Sequence, residues 1–222
     1  MLTLSFDTNF NKTYVVLKKD NKIMVSKNLE SKDGIYHSAF FMPTLQEILK
    51  ENNILIKDID AIGVNIGPGS FTGIRAGITI ARVLCQQTNT KLIGINSLKI
   101  LSKINKENTK TIVILDARKN RVYYAEFENN NTIIEPTLIE KDELINKIDK
   151  NAFIITDKSI GEFLSEQEIK IIQYEENDDN IGLYLSDIVE EELKKEKEDF
   201  HWAKIKPLYI QQPSITKPKE VK

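Results

Sequence analysis

Cysteine occurs once in the 222 residues, at Cys85, and histidine twice, at His37 and His201. A single cysteine excludes an intramolecular disulfide, a Cys-rich zinc site and a paired redox motif, which suits a reducing cytoplasm. Neither histidine sits in a local motif with Ser or Asp, so a nucleophilic triad has no support. A helical His pair for a metal needs ligands at i and i+4, and the residue four after His37 is Phe41, so no metal is expected. Charge of one sign is not in excess either, with 31 Lys plus Arg against 33 Asp plus Glu. Bulk positive charge therefore cannot carry nucleic-acid binding, and direct RNA contact would depend on local patches such as Lys204, Lys206, Lys217 and Lys219. No apolar run approaches the roughly 18 residues of a membrane span. The N-terminal stretch meets Asp7 with no basic leader, and the expectation is a cytoplasmic protein with no membrane partner.

What is present is an ordinary globular composition, 41% apolar and 29% charged, long enough for one large domain or two small ones. Leu2 to Phe6, Thr13 to Leu17 and Ile23 to Val25 read as a three-stranded meander. From Tyr36 to Lys50 the apolar positions Phe40, Phe41, Leu45, Ile48 and Leu49 recur at helical spacing, with Pro43 set to kink the helix or displace its start. Ile59 to Ile66 is a strand, Ile74 to Gln87 a helix with Ile74, Ile78, Ala81 and Cys85 on its apolar side, and Leu92 to Ile95 a strand before a short helix capped by Ser97. Cys85 is then expected to be an inert buried thiol.

The segment LSFDTNFNKTYVVLKKDNKIMV (Leu4 to Val25) matches VILDARKNRVYYAEFENNNTII (Val113 to Ile134), with Asp7 on Asp116, Asn11 on Asn120 and Tyr14 on Tyr123. The chain therefore reads as a duplication. The second half continues with a helix near Lys141 to Ile148, short strands, and a helix from about Ile181 to Lys195 whose charged end, Glu190 to Asp199, reads as an exposed helix end. Beyond Pro207 the chain is expected to leave the body as an arm.

Chemistry concentrates in Gly67-Pro68-Gly69-Ser70-Phe71-Thr72-Gly73, a glycine-rich loop between a strand and a helix, with Arg75 in the first helical turn. Its backbone N–H groups, the Ser70 and Thr72 hydroxyls and the helix dipole could hold a phosphate or carboxylate; the alternative is a tight turn that closes helix on sheet. The loop is neither a dinucleotide fingerprint nor a P-loop. Asp7 and Asp116 end equivalent strands, so they would face each other across a cleft and hold a hydrated divalent ion with a polyphosphate, or each would cap its own turn.

The loop GPGSFTGIRAGITIARVL with LIGINSL, the N-terminal FDT, the positions His37, Ser38, Pro43 and Leu45, the segment LDARKNRVYYAEF and the C-terminal PLYIQQP resemble the TsaB (YeaZ) family. That resemblance implies an α/β fold of the two-lobed actin-like ATPase superfamily, a duplicated RNase H-like β-sheet with flanking helices. It implies lobes at 1–107 and 108–206 and an arm at 207–222. The family supports threonylcarbamoyladenosine synthesis on tRNA as the non-catalytic partner of the paralogue TsaD, with recruitment of the ATPase TsaE. Where TsaD has its second metal-binding His, this chain has Phe41. The implied roles are a heterodimer with TsaD, a homodimer when the partner is absent, and tRNA reached indirectly through the complex. His37, Phe41, Leu45 and Ile48 on the first helix, and Ile74, Ile78, Ala81 and Cys85 on the second, are the candidate partner interface; the alternative is that they face their own sheet. No cofactor is required and nucleotide binding is left open; the family's FDTS-like turn here reads Asp7-Thr8-Asn9, and that missing hydroxyl, with the short second lobe, argues against nucleotide hydrolysis by this chain alone. The competing hypothesis is an actin-like ATPase or phosphotransferase acting on its own.

Overall fold

The computed structural model describes residues 1–30, 37–107, 109–174, 180–195 and 199–210. The first half runs β1 (Leu2–Asp7), β2 (Lys12–Lys19), β3 (Lys22–Glu30), α1 (His37–Glu51), β4 (Ala61–Asn65), α2 (Phe71–Thr88), β5 (Lys91–Ile95) and α3 (Ser97–Ser102). The second half repeats that order as β6 (Thr111–Arg118), β7 (Arg121–Glu128), β8 (Asn131–Glu140), α4 (Lys141–Lys147), β9 (Phe153–Thr156), α5 (Lys158–Ser165), β10 (Ile172–Gln173) and α6 (Ile181–Leu193). The two five-stranded sheets have the same strand order, β3-β2-β1-β4-β5 and β8-β7-β6-β9-β10. In each, an antiparallel meander continues into two parallel strands. This is the duplicated sheet with flanking helices that the resemblance implies. The halves differ at the first hairpin. Arg118 pairs with Arg121 across a tight turn, with φ of 62°, 54° and 59° at Arg118, Lys119 and Asn120, whereas the first-half strands stop pairing at Asp7 and Tyr14. Asp116 consequently faces Val122 rather than Tyr123.

Helices and sheets stack in layers, each with its own apolar core. Outside the first sheet lie α1 and α2, which contribute Phe41, Leu45, Ile48, Ile74, Ile78, Ala81 and Cys85 to a core with Leu4, Phe6, Val15 and Ile62. Outside the second sheet, Leu144 of α4 and Ile160 and Leu164 of α5 pack on Ile112, Ile114 and Tyr124. Between the sheets lie α3 and α6. Here the halves exchange elements: α3, from the first half, packs on β6 and β7, and α6, from the second, packs on β1, β2, β4 and β5. Residues 108–206 therefore do not all stay with the second sheet.

Several expectations are corrected. The candidate interface residues Phe41, Leu45, Ile48, Ile74, Ile78, Ala81 and Cys85 are each at most 3% exposed. They form the inward stripe, because an apolar face beside a sheet is drawn onto it. The side chain of His37 lies outside the described residues. Pro43 stands inside α1 at an exposed position, and the start of the helix is not displaced past it. Asn96, not Ser97, caps α3, its side chain accepting from the Lys99 N–H. Burial pushes the Cys85 thiol up to about 12. At the charged end of α6, Glu191, Lys194, Lys195 and Asp199 are exposed as expected and 196–198 lie outside the described residues. Glu190, however, is buried, pairing at 3.2 Å with buried Lys18 on β2, which also pairs with Asp187, while Lys99 and Lys103 pair with Glu192 and Glu191 at 2.6 and 2.8 Å. Residues 199–210 also stay close, whereas 211–222 of the expected arm lie outside the described residues. The Leu92 N–H donates to the Phe200 carbonyl and the Leu208 N–H to that of Ile66, both at the β4–β5 side of the first sheet, so the chain covers its edge. Among the described residues no helix is long and apolar enough to cross a membrane.

Lys18→Met removes the cation and leaves the Glu190 carboxylate buried without its partner. The expected loss is about 3 kcal/mol of unfolding free energy, read by urea denaturation. Glu190→Gln in the same chain is expected to restore part of it.

Candidate functional site

The glycine-rich loop is built by what it touches. Asn65, a polar residue closing an apolar strand, accepts the Gly67 N–H (2.9 Å) and the Ser97 hydroxyl (3.0 Å) on Oδ1 and donates through Nδ2 to Asp7 Oδ2 (2.5 Å). Asn9 Nδ2 donates to the Pro68 carbonyl (2.9 Å) and to Ser97 Oγ (2.8 Å). Thr8 Oγ1 donates to the Gly73 carbonyl (2.7 Å). The β1–β2 turn and the loop are thus locked face to face. A Cβ at Gly73 would lie 2.0 Å from the Thr8 carbonyl oxygen, and one at Gly69 (φ 151°) 2.5 Å from Asn9 Oδ1, so the close approach requires glycine at both.

The expected anion-binding groups are divided by this packing. Ser70 is the N-cap of α2, its hydroxyl taking the Gly73 N–H at 3.2 Å. Arg75 is held by two rings: its guanidinium lies 3.8 Å from the Phe71 ring centroid, and Nε donates to the Tyr209 hydroxyl at 2.7 Å. Gly69, Ser70 and Thr72 line a cleft of about 990 Å³ between the two sheets; Gly67, Gly73 and Arg75 do not. The opposite wall is the β6–β7 turn and the start of α5, with Asp116, Arg118, Lys119, Asp157 and Lys158.

The two carboxylates do not face each other. Asp116 is exposed on the cleft, accepting the Arg118 N–H at 2.9 Å, while its own N–H donates to Asp157 Oδ2 at 2.5 Å. Asp7 is fully buried and does not line the cleft. Its Oδ1 accepts the backbone N–H groups of Asn9 (2.5 Å) and Phe10 (3.2 Å), and its Oδ2 takes Asn65. Each Asp caps its own turn. With Asp7 sealed, the first-half residues do not fit a hydrated magnesium ion carrying a nucleotide, because a hard cation of that kind needs carboxylate oxygens open to it and to its waters. Among the described residues no cluster of three or more His, Cys, Asp or Glu is placed to hold a metal.

Asn9, Asn65 and Ser97 were not expected as a group. Asn65 had a signal, an amide in the otherwise apolar run Ala61 to Ile66. Asn9 stands where the resemblance leads one to expect a hydroxyl, and its longer side chain is what reaches Pro68 and Ser97.

Burial is the largest influence on Asp7 and raises its carboxyl from 3.8 to about 6, against the hydrogen bonds that lower it. A raised carboxyl binds its proton more tightly folded than unfolded, so its stabilising contribution is full below pH 3.8 and lost as pH rises to about 6. The change is about 3 kcal/mol at roughly 1.4 kcal/mol per unit. Unfolding titrations of the parent and Asp7→Asn between pH 4 and 7 are expected to diverge by up to that amount, the variant gaining relative stability as pH rises.

On the outer layer of the first sheet, Phe40 of α1 is 41% exposed and Val83 of α2 51%; Ile80 and Leu84 are half-buried beside them in α2. These positions lie off the stripes from which an interface was expected.

A protein-family model described as TsaD, tRNA N6-adenosine threonylcarbamoyltransferase, matches residues 31–179, more than half of the chain. The tRNA threonylcarbamoyladenosine biosynthesis protein TsaB of Buchnera aphidicola subsp. Schizaphis graminum is 31% identical over 153 residues, 67% of this chain and 70% of that protein. Its counterpart of the same name in Escherichia coli K12 is 29% identical over 154 residues, 66% of this chain and 65% of that one. A Pseudomonas aeruginosa protein described as similar to peptidase YeaZ superposes with a TM-score of 0.74 at 17% identity, covering 95% of this chain and 99% of that chain, a likeness of fold. Since two thirds of the sequence aligns with TsaB at this identity and the duplicated two-sheet fold matches over nearly its whole length, the chain belongs to the TsaB (YeaZ) family.

Proposed function

We propose that this chain is the non-catalytic partner in threonylcarbamoyl transfer to a tRNA adenosine next to the anticodon. It pairs with a TsaD-type paralogue, which performs the transfer, and the pair recruits the ATPase TsaE; tRNA is held by the complex. The observation that carries the reading is the outer layer of α1 and α2. Its inward stripe is fully used by the chain's own sheet, yet Phe40 and Val83 remain 41% and 51% exposed. Large apolar side chains left in water on two adjacent helices suit burial against a second pair of helices. In the absence of the paralogue the same layer supports a homodimer.

Phe41 supports the division of labour. Its ring is wholly buried, with its centroid 4.5 Å from that of Phe6. The position that the resemblance assigns to a metal ligand in the paralogue is here a core contact. The competing reading, an ATPase acting on its own, needs Asp7 open to magnesium, and Asp7 is sealed. Calorimetry with ATP and magnesium separates the two: a strong response abolished by Asp7→Ala would favour the ATPase.

The direct test is co-purification with the paralogue, then tRNA modification in vitro with and without this chain. Modification is expected only when the paralogue and this chain are both present; modification by this chain alone would sink the proposal. Phe40→Asp and Val83→Asp are each expected to weaken paralogue binding roughly 30-fold or more, as for a hot-spot residue worth about 2 kcal/mol, with unchanged melting temperature. Leu45→Asp is expected to unfold the chain instead.

A further inference from the structure

Residues Phe200, His201 and Trp202, the last being the chain's one tryptophan, border a concavity of about 580 Å³ beside the start of β5. Part of their role is structural. The Phe200 carbonyl accepts the Leu92 N–H, and Trp202 packs with Ile205 on the outer core. That role leaves the rest of the cluster unexplained. Trp202 is only half-buried, and His201 is exposed, its ring stacked on the indole at 5.2 Å with 29° between planes. His201 Nδ1 accepts the Ala203 N–H at 3.2 Å, so the neutral ring carries its proton on Nε2. The Arg82 guanidinium lies 5.5 Å from the Trp202 ring centroid and the Lys91 ammonium 5.9 Å from that of Phe200. Among the described residues neither cation has a carboxylate partner, whereas nearby Lys195 and Lys204 are taken by Glu192 and Asp199 at 2.5 and 2.6 Å.

We propose that this patch binds unpaired nucleotides of an RNA, a base extending the His201–Trp202 stack and flanking phosphates meeting Arg82 and Lys91. Aromatic planes interleaved with unpaired cations are the chemistry of single-stranded recognition, because every base has a face to stack and every linkage a charge. A paired helix hides its bases from such a platform. Arg82 directly precedes Val83 in α2, so the RNA surface adjoins the proposed partner face. The inference goes beyond the partner role, in which RNA contact is indirect, and does not depend on it.

The test uses the full chain, the intrinsic fluorescence of Trp202, and three probes: a short RNA hairpin with an unpaired loop, a blunt RNA duplex and AMP. The hairpin is expected to quench the fluorescence saturably. With two phosphates neutralised, a salt slope of about −1.4 follows, a loss of roughly sevenfold in affinity between about 50 and 200 mM salt. Lys91→Glu, at an exposed side chain, is expected to weaken binding about fivefold or more at unchanged melting temperature, and His201→Ala, which also loses the Ala203 N–H contact, to weaken it by about as much, within the range for one stacked base. No saturable quench, equal binding of duplex and hairpin, AMP binding as tightly as the hairpin, or indifference to both substitutions would overturn the proposal. None of those results bears on pairing with the paralogue, which is measured without RNA.

Discussion

The exchange of the third helices between the halves is the interaction on which the rest of the structure depends. α6 closes the inner face of the first sheet and α3 that of the second, and the two helices touch in the middle. Ile181, Leu185, Ile188 and Val189 of α6 have no exposed surface, and each contributes roughly 1.5–3 kcal/mol of burial. Close approach is possible because the facing residues are small: a Cβ on Gly63 would lie 2.3 Å from Val189, and one on Gly182 2.9 Å from Tyr14. Lys18 adds direction, since its ammonium is satisfied only when α6 presents Asp187 and Glu190. The halves cannot part without uncovering the inner faces of both sheets, and the cleft between them takes its shape from that constraint.

The cleft shows how an inherited frame can be put to structural use. In this fold the turn after the first strand and the loop after the fourth lie together. Here their polar groups are spent on one another: Asp7 on its own turn and Asn65, Asn9 on Pro68 and Ser97, Thr8 on Gly73. A buried network of this kind, satisfied among its members except at Asn9 Oδ1, rigidifies the turn and the loop against each other. What remains open is the cleft, with Gly69, Ser70 and Thr72 on one side and the second-half wall on the other, and the outer surface of α1 and α2.

Much of the fold was legible because it is written at short range. The match of Leu4–Val25 with Val113–Ile134 marks two meanders, and the strand order of both sheets bears it out. The loop from Gly67 to Gly73 was legible as a strand-to-helix turn from its glycines and Ser70, which caps α2. The candidate interface was misread for a physical reason. Helical periodicity identifies an apolar stripe but not what covers it, and a sheet from the same chain competes first for that stripe. Phe41 and Ile78 went to the core. Phe40, which the helical spacing included, and Val83, which it did not, stayed outside.

By itself the sequence determined the local elements, the duplication, the single inert thiol and the loop that marks the family, since each depends on neighbours within a few residues or on a pattern repeated along the chain. Only the tertiary structure decided that α6 crosses to the first sheet, that Asp7 is sealed while Asp116 is open, and that Arg82 and Lys91 meet Trp202 and Phe200. Lys18 and Glu190 stand 172 residues apart, and Arg82 and Trp202 lie in elements separated by the whole second half. Such pairings come from packing two sheets and their exchanged helices to close contact, a condition that no window of local sequence contains.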